Sequence, residues 1–119
     1  MKFTKTYYCN IFIGFLESDT GVVHSLTEAH AICDKFCDIG LCVTLTPTQF
    51  IYTGGGESGC IVGLINYPRF PTEEKFILMK ALDLAKIFLY KFRQQRISIV
   101  TPEETIMLEY SDLKLNKKI

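Results

Sequence analysis

Residues 6–16, TYYCNIFIGFL, alternate in character with a period of two. Tyr7, Cys9, Ile11, Ile13 and Phe15 fall on one side of an extended chain, and Tyr8, Asn10, Phe12 and Gly14 on the other. Such a segment is a strand with two unlike faces. The uniformly core-like odd side calls for helices packed against it. The even side, with two aromatics, an amide and a glycine, is a second surface with its own purpose.

The rest of the chain supplies the partners that strand needs. Ser25-Leu26-Thr27-Glu28 is a capping box: the Ser25 hydroxyl can accept the Glu28 N–H, and the Glu28 carboxylate can return to Ser25. Leu26, Ala29, Ile32, Cys33, Phe36 and Cys37 then recur at helical spacing, and Gly40 suits a left-handed cap. Residues 41–46 alternate as a strand. Pro47 is expected to bend the chain in a turn over 46–49, because proline gives no N–H to a ladder. Strand character resumes over 50–53, and GGGESG at 54–59 reads as a flexible hairpin tip. Residues 60–67 are nearly all apolar and predict a central strand.

Pro68 and Pro71 brace the link that follows. Thr72 is the expected N-cap of a long helix reaching about residue 92, with Glu73 and Glu74 at its positive end. Its inner stripe is Ile77, Ala81, Leu84, Ala85, Phe88 and Phe92. Strands follow over 96–100 and 105–110, and a polar, basic tail, expected to fray, over 111–119. The order β-α-β-β-α-β, with one strand added, predicts an α+β sandwich of the ferredoxin-like (split βαβ) kind, a single domain over 1–110. VTLTPTQFI at 43–51 and SIVTPEETI at 98–106 align as a faint internal repeat, which predicts a pseudo-twofold relation between the halves.

Charge excludes some partners. Lys plus Arg total 13 and Asp plus Glu total 13, so no overall field draws the chain to nucleic acid or to a membrane surface. The apolar stretch 76–92 is interrupted by Lys80, Asp83, Lys86 and Lys91, which argues against a membrane span. Five cysteines without a small-domain framework read as reduced thiols in a cytoplasmic protein. The N-terminal apolar run holds Asn10 and lacks a cleavage site, so no signal peptide is expected.

Residues 11–16, IFIGFL, resemble the first-strand motif of the RNA-recognition-motif family. That resemblance implies the same element order and bases stacked on sheet aromatics. The segment 58–63, SGCIVG, departs from the family's third-strand pattern, having neither its basic residue nor its aromatics. Nucleic acid is therefore not an expected partner.

Other constellations are weighed in the same way. GGGESG lacks the Gly-Lys-Ser/Thr and the following helix of a phosphate loop. His30, Cys33 and Cys37 coincide with the apolar side of their helix, with Cys42 nearby, and predict packing with no metal and no cofactor. A small enzyme would require His24, His30 or a cysteine to converge with a carboxylate in a pocket. The favoured expectation is a non-enzymatic binding module. Tyr8, Asn10, Phe12, Tyr52, Asn66 and Arg69 would form a cleft at a sheet or subunit edge for a small anionic or nucleotide-like ligand, with Arg69 presenting its fork. A protein-binding inhibitor or adaptor, phage- or mobile-element-encoded, is the alternative. On the outer side of the long helix, Phe76, Met79, Lys80, Asp83, Ile87 and Tyr90 predict an interface between copies of the chain.

Overall fold

A computed structural model describes residues 1–117, and the side chains of residues 1–113. Five strands form one antiparallel sheet: β1 (Tyr8–Gly14), β2 (Thr44–Tyr52), β3 (Gly55–Ile65), β4 (Arg96–Val100) and β5 (Thr105–Glu109). Three helices accompany them: α1 (Leu26–Phe36), α2 (Glu74–Lys91) and α3 (Tyr110–Lys117). Their arrangement makes a small mixed α+β fold. The strand order is β2-β3-β1-β4-β5, so β1 is central, antiparallel to β3 on one flank and to β4 on the other.

The alternation of β1 sets the two faces of the sheet. Cys9, Ile11 and Ile13 are fully buried and pack with Cys60, Val62, Ile97 and Ile99 against Ala81, Leu84, Ala85, Phe88 and Leu89 of α2. Tyr8, Asn10 and Phe12, paired with Ile65, Gly63 and Ile61, occupy the opposite, open face and are half-buried there. Burying a large apolar side chain contributes about 2–3 kcal/mol, so the two-helix side carries the fold.

Helix α1 begins where its capping box predicts. Ser25 accepts the Glu28 N–H at 3.2 Å, although the Glu28 carboxylate turns to His24 and the Ser25 hydroxyl. Helix α2 starts one residue later than its expected cap, with Glu73 at the N-cap position, and Thr72 instead donates its N–H to Asn66. A 3₁₀ turn (Cys37–Ile39) prolongs α1, and Gly40 closes it in the left-handed region at φ 98°.

Three segments differ from the sequence reading. Pro47 makes no turn: β2 runs straight through it, opposite Cys60. This is possible because β2 is an edge strand, where a missing N–H costs least. Residues 55–59 belong to β3, and the hairpin is closed by Thr53-Gly54 with Gly54 at φ 82°. Gly59 explains part of that small-residue run: a Cβ there would meet the Ile13 carbonyl at 2.3 Å and the Phe50 ring at 2.5 Å. The segment after Glu109 forms α3, which lies against α2 and adds Leu113 to the rim of the core; residues 118–119 of the expected tail lie outside the described residues. The Thr-Pro pairs of the supposed repeat also part company. Pro47 is mid-strand, whereas Pro102 lies in a turn where the Thr101 hydroxyl accepts the Glu103 and Glu104 N–H groups.

Among the described residues, no helix is long and apolar enough to cross a membrane.

Candidate functional site: a cavity beneath the 66–72 connection

A cavity of about 650 Å³ opens between the end of β3, the turn after α1 and the first turns of α2. It is within the size range of small-molecule sites. Its lining is aliphatic at Ile39, Leu41, Leu64, Ile65 and Ile77 and aromatic at Tyr67, Phe70 and Phe76. Lys80 supplies a cation at the rim, its Nζ 5.5 Å from the centre of the Phe76 ring.

The connection itself is held rigidly. The Asn66 side chain, buried at the end of β3, donates to Lys5 O at 2.8 Å and to Thr4 Oγ1 at 3.2 Å, and accepts the Thr72 N–H at 3.0 Å. Its backbone N–H meets Tyr7 O at 3.0 Å. Tyr67 and Phe70 close a tight turn, with Phe70 N donating to Tyr67 O at 2.9 Å. The Cys42 thiol donates to the Tyr67 hydroxyl at 3.5 Å. That contact and burial both push the Tyr67 phenol upward, keeping it neutral. Arg69 is exposed, its guanidinium carbon 5.3 Å from the Phe70 ring centre.

The expected ligand residues divide among three places. Tyr8, Asn10 and Phe12 share the open face of the sheet, with Asn10 against Thr44 across Gly63. Asn66 and Arg69 belong to the connection, but Asn66 spends its amide on bracing and Arg69 projects outside the cavity lining. Tyr52 is at the other end of the sheet: it pairs with Gly55, ten residues along β3 from Ile65, roughly 33 Å away at the usual strand rise. These six residues therefore do not form a single cleft. Tyr67, Phe70 and Phe76 were the better markers, since aromatics beside a proline-braced link announce a rigid apolar wall.

The expected interface stripe on α2 is mixed. Phe76, Met79, Asp83 and Tyr90 are exposed, and Lys80 and Ile87 are half-buried. Two of its members, Phe76 and Lys80, line the cavity.

A polar cluster sits at the far end of β1. His24 Nε2 is 2.5 Å from Glu17 Oε2, and His24 Nδ1 is 2.6 Å from Glu28 Oε2. The ring stacks on Phe92 with centres 4.2 Å apart and planes 1° from parallel. Burial pulls the proton affinity of His24 down, but Glu28 and Glu17 outweigh it, leaving the pKa raised. Glu17 is held low by the Thr20 hydroxyl and by His24. Arg93, in the left-handed region at φ 49°, reaches Glu17 at 3.5 Å and Asp19 at 3.1 Å. A histidine does converge with carboxylates, as catalysis would require, but away from the cavity.

The buried thiols are subdued. Burial pushes Cys33 to about 11 and Cys60 to about 12. Among the described residues, no group of three or more His, Cys, Asp or Glu side chains is placed to hold a metal ion.

No protein-family model and no curated protein sequence matches the chain. Two solved structures share its fold. A phage SAM lyase in complex with S-methyl-5′-thioadenosine superposes with a TM-score of 0.74 at 13% identity, over 92% of this chain and 93% of that one. A phage SAM lyase in the apo state gives a TM-score of 0.61 at 15% identity, over 87% and 88%. At such identities the likeness is one of backbone architecture.

Proposed function

We propose that this chain binds a small nucleoside of the thioadenosine kind in the cavity beneath the 66–72 connection. The observation that carries the reading is the presence of three aromatic side chains, Tyr67, Phe70 and Phe76, among the largely apolar lining of a space of about 650 Å³. A flat base is stabilised by stacking on aromatic side chains, about 1–3 kcal/mol per base in other proteins. The Lys80 ammonium brings positive charge to the cavity for polar or anionic substituents. The fold neighbour that holds S-methyl-5′-thioadenosine supports this ligand class.

The strand order β2-β3-β1-β4, with β5 outside, supports a ferredoxin-like reading of the sandwich. Self-association, through the exposed members of the α2 stripe or the open face of the sheet, and a cytoplasmic location complete the proposal. Isothermal titration with S-methyl-5′-thioadenosine tests the site. Saturable binding that weakens about tenfold or more in Phe76→Ala, with the thermal midpoint retained, is the expected result. Equal binding by wild type and variant would remove the ligand from this cavity.

The convergence of His24 with Glu17 and Glu28 favours a second reading, a small enzyme acting on the same ligand class. Incubation with SAM, followed by chromatography for S-methyl-5′-thioadenosine, separates the two. Turnover establishes an enzyme, and binding without turnover a binding module.

A further inference from the structure

On the open face of the sheet, two acceptor oxygens converge on the space over Gly14, the last residue of β1. A Cβ built on Gly14 would stand 2.8 Å from Glu57 Oε1 and 3.0 Å from Gln94 Oε1. Both oxygens therefore rest against the bare backbone of the glycine. The other carboxylate oxygen, Glu57 Oε2, accepts the Leu16 N–H at 3.0 Å, which fixes the group on β3.

Gln94 is only 7% exposed. Its amide nitrogen donates to Leu16 O at 2.9 Å and to Phe92 O at 3.2 Å. Those two bonds use both amide hydrogens, so the oxygen is the atom that faces Glu57. No donor from the described residues reaches Glu57 Oε1 or Gln94 Oε1. Neither oxygen is a buried orphan: both are open to water, whose hydrogen bonds an N–H donor of a ligand can replace. Arg93, the residue before Gln94, is turned to Glu17 and Asp19.

The same face carries aromatic surface on either side. Phe12 precedes Gly14 by two residues, and the Phe50 ring lies over Gly59, the cross-strand partner of Gly14. Two oxygens fall short of the six to eight that calcium takes. An alkylammonium group suits the arrangement better: two of its three N–H bonds can point at the two oxygens while its carbon stem lies on Phe12 and Phe50.

We infer that the notch over Gly14, formed by Glu57 Oε1 and Gln94 Oε1, binds the primary ammonium group of a small organic cation. It is separate from the nucleoside cavity, since Gly14 lies six residues along β1 from Tyr8, roughly 20 Å away.

The test is a ¹⁵N-resolved NMR titration of the full chain with n-butylammonium chloride at constant ionic strength, with tetramethylammonium chloride as the control. Saturable shifts at the Gly14, Leu16 and Gly59 amides are expected with n-butylammonium alone. Glu57→Gln keeps an acceptor for the Leu16 N–H while removing the charge, and should weaken the response about tenfold or more. Equal saturation by tetramethylammonium, which has no N–H, would reduce the notch to an aromatic patch and overturn the assignment. So would unchanged affinity in a folded Glu57→Gln chain, or the absence of any saturable shift. If Glu57→Gln fails to fold, the comparison of the two cations on the wild-type chain decides alone.

Discussion

His24 shows how much a single side chain can organise. With a carboxylate oxygen within hydrogen-bond range of each ring nitrogen, the site favours the imidazolium, whose two nitrogens both donate, and the pKa of His24 is raised. The cation ties the β1–α1 connection to the cap of α1, and its ring covers Phe92 at the end of α2. Because the folded pKa of His24 is raised, its contribution to stability is complete below the ordinary histidine value near 6.5 and is lost as pH rises through the folded value. Glu17, held low, acts in the opposite sense: its contribution is present above the ordinary glutamate range and disappears as pH falls through its folded value. Thermal melts should therefore show a midpoint that declines from about pH 6.5 upward. His24→Asn should flatten that alkaline limb and cost about 2 kcal/mol at pH 6. A limb of unchanged slope in the variant would assign the dependence to another group.

At the scale of elements, legibility followed locality. The alternation of β1 and the Ser25 cap could be read because their causes lie within a few consecutive residues. The course of β2 could not, because whether Pro47 breaks a strand depends on whether that strand has one neighbour or two, a property of the assembled sheet. The same limit misplaced Tyr52: a side chain's face follows from its parity, but which end of the sheet it reaches depends on register across a hairpin. The cavity was half visible, since the proline-braced link was recognised but the bracing role of Asn66 was not; that role needs Thr4 and Lys5, some sixty residues earlier. Glycines in β3 are likewise tertiary requirements. Gly59→Ala, which drives a methyl into the Ile13 carbonyl and the Phe50 ring, should destabilise the protein by about 2–3 kcal/mol in urea melts. A change below about 0.5 kcal/mol would mean that β1 and β3 can separate freely.

For the molecule as a whole, the open sheet face and the outer side of α2 leave Ile65, Met107, Phe76 and Met79 in contact with water. Apolar side chains exposed on two surfaces in this way are candidates for an interface. Native mass spectrometry at micromolar concentration should therefore report an oligomer, and Ile87→Glu should shift it toward the single chain without loss of helical circular dichroism. A wild-type chain that remains single would withdraw the interface from α2 and the sheet alike. A variant that unfolds would place Ile87 in the core.

Pro47 decides the direction in which such assembly can proceed. Standing in the middle of the outermost strand, it interrupts the row of donors that a foreign strand would need as a template. Lateral growth of the sheet from this side, by copying the hydrogen-bond ladder outward, meets a gap at its midpoint. Copies meeting at this edge would have to join through side chains rather than backbone, which disfavours fibre growth from β2. Pro47→Val repairs the gap, and under mild agitation it should raise thioflavin fluorescence above the wild-type level.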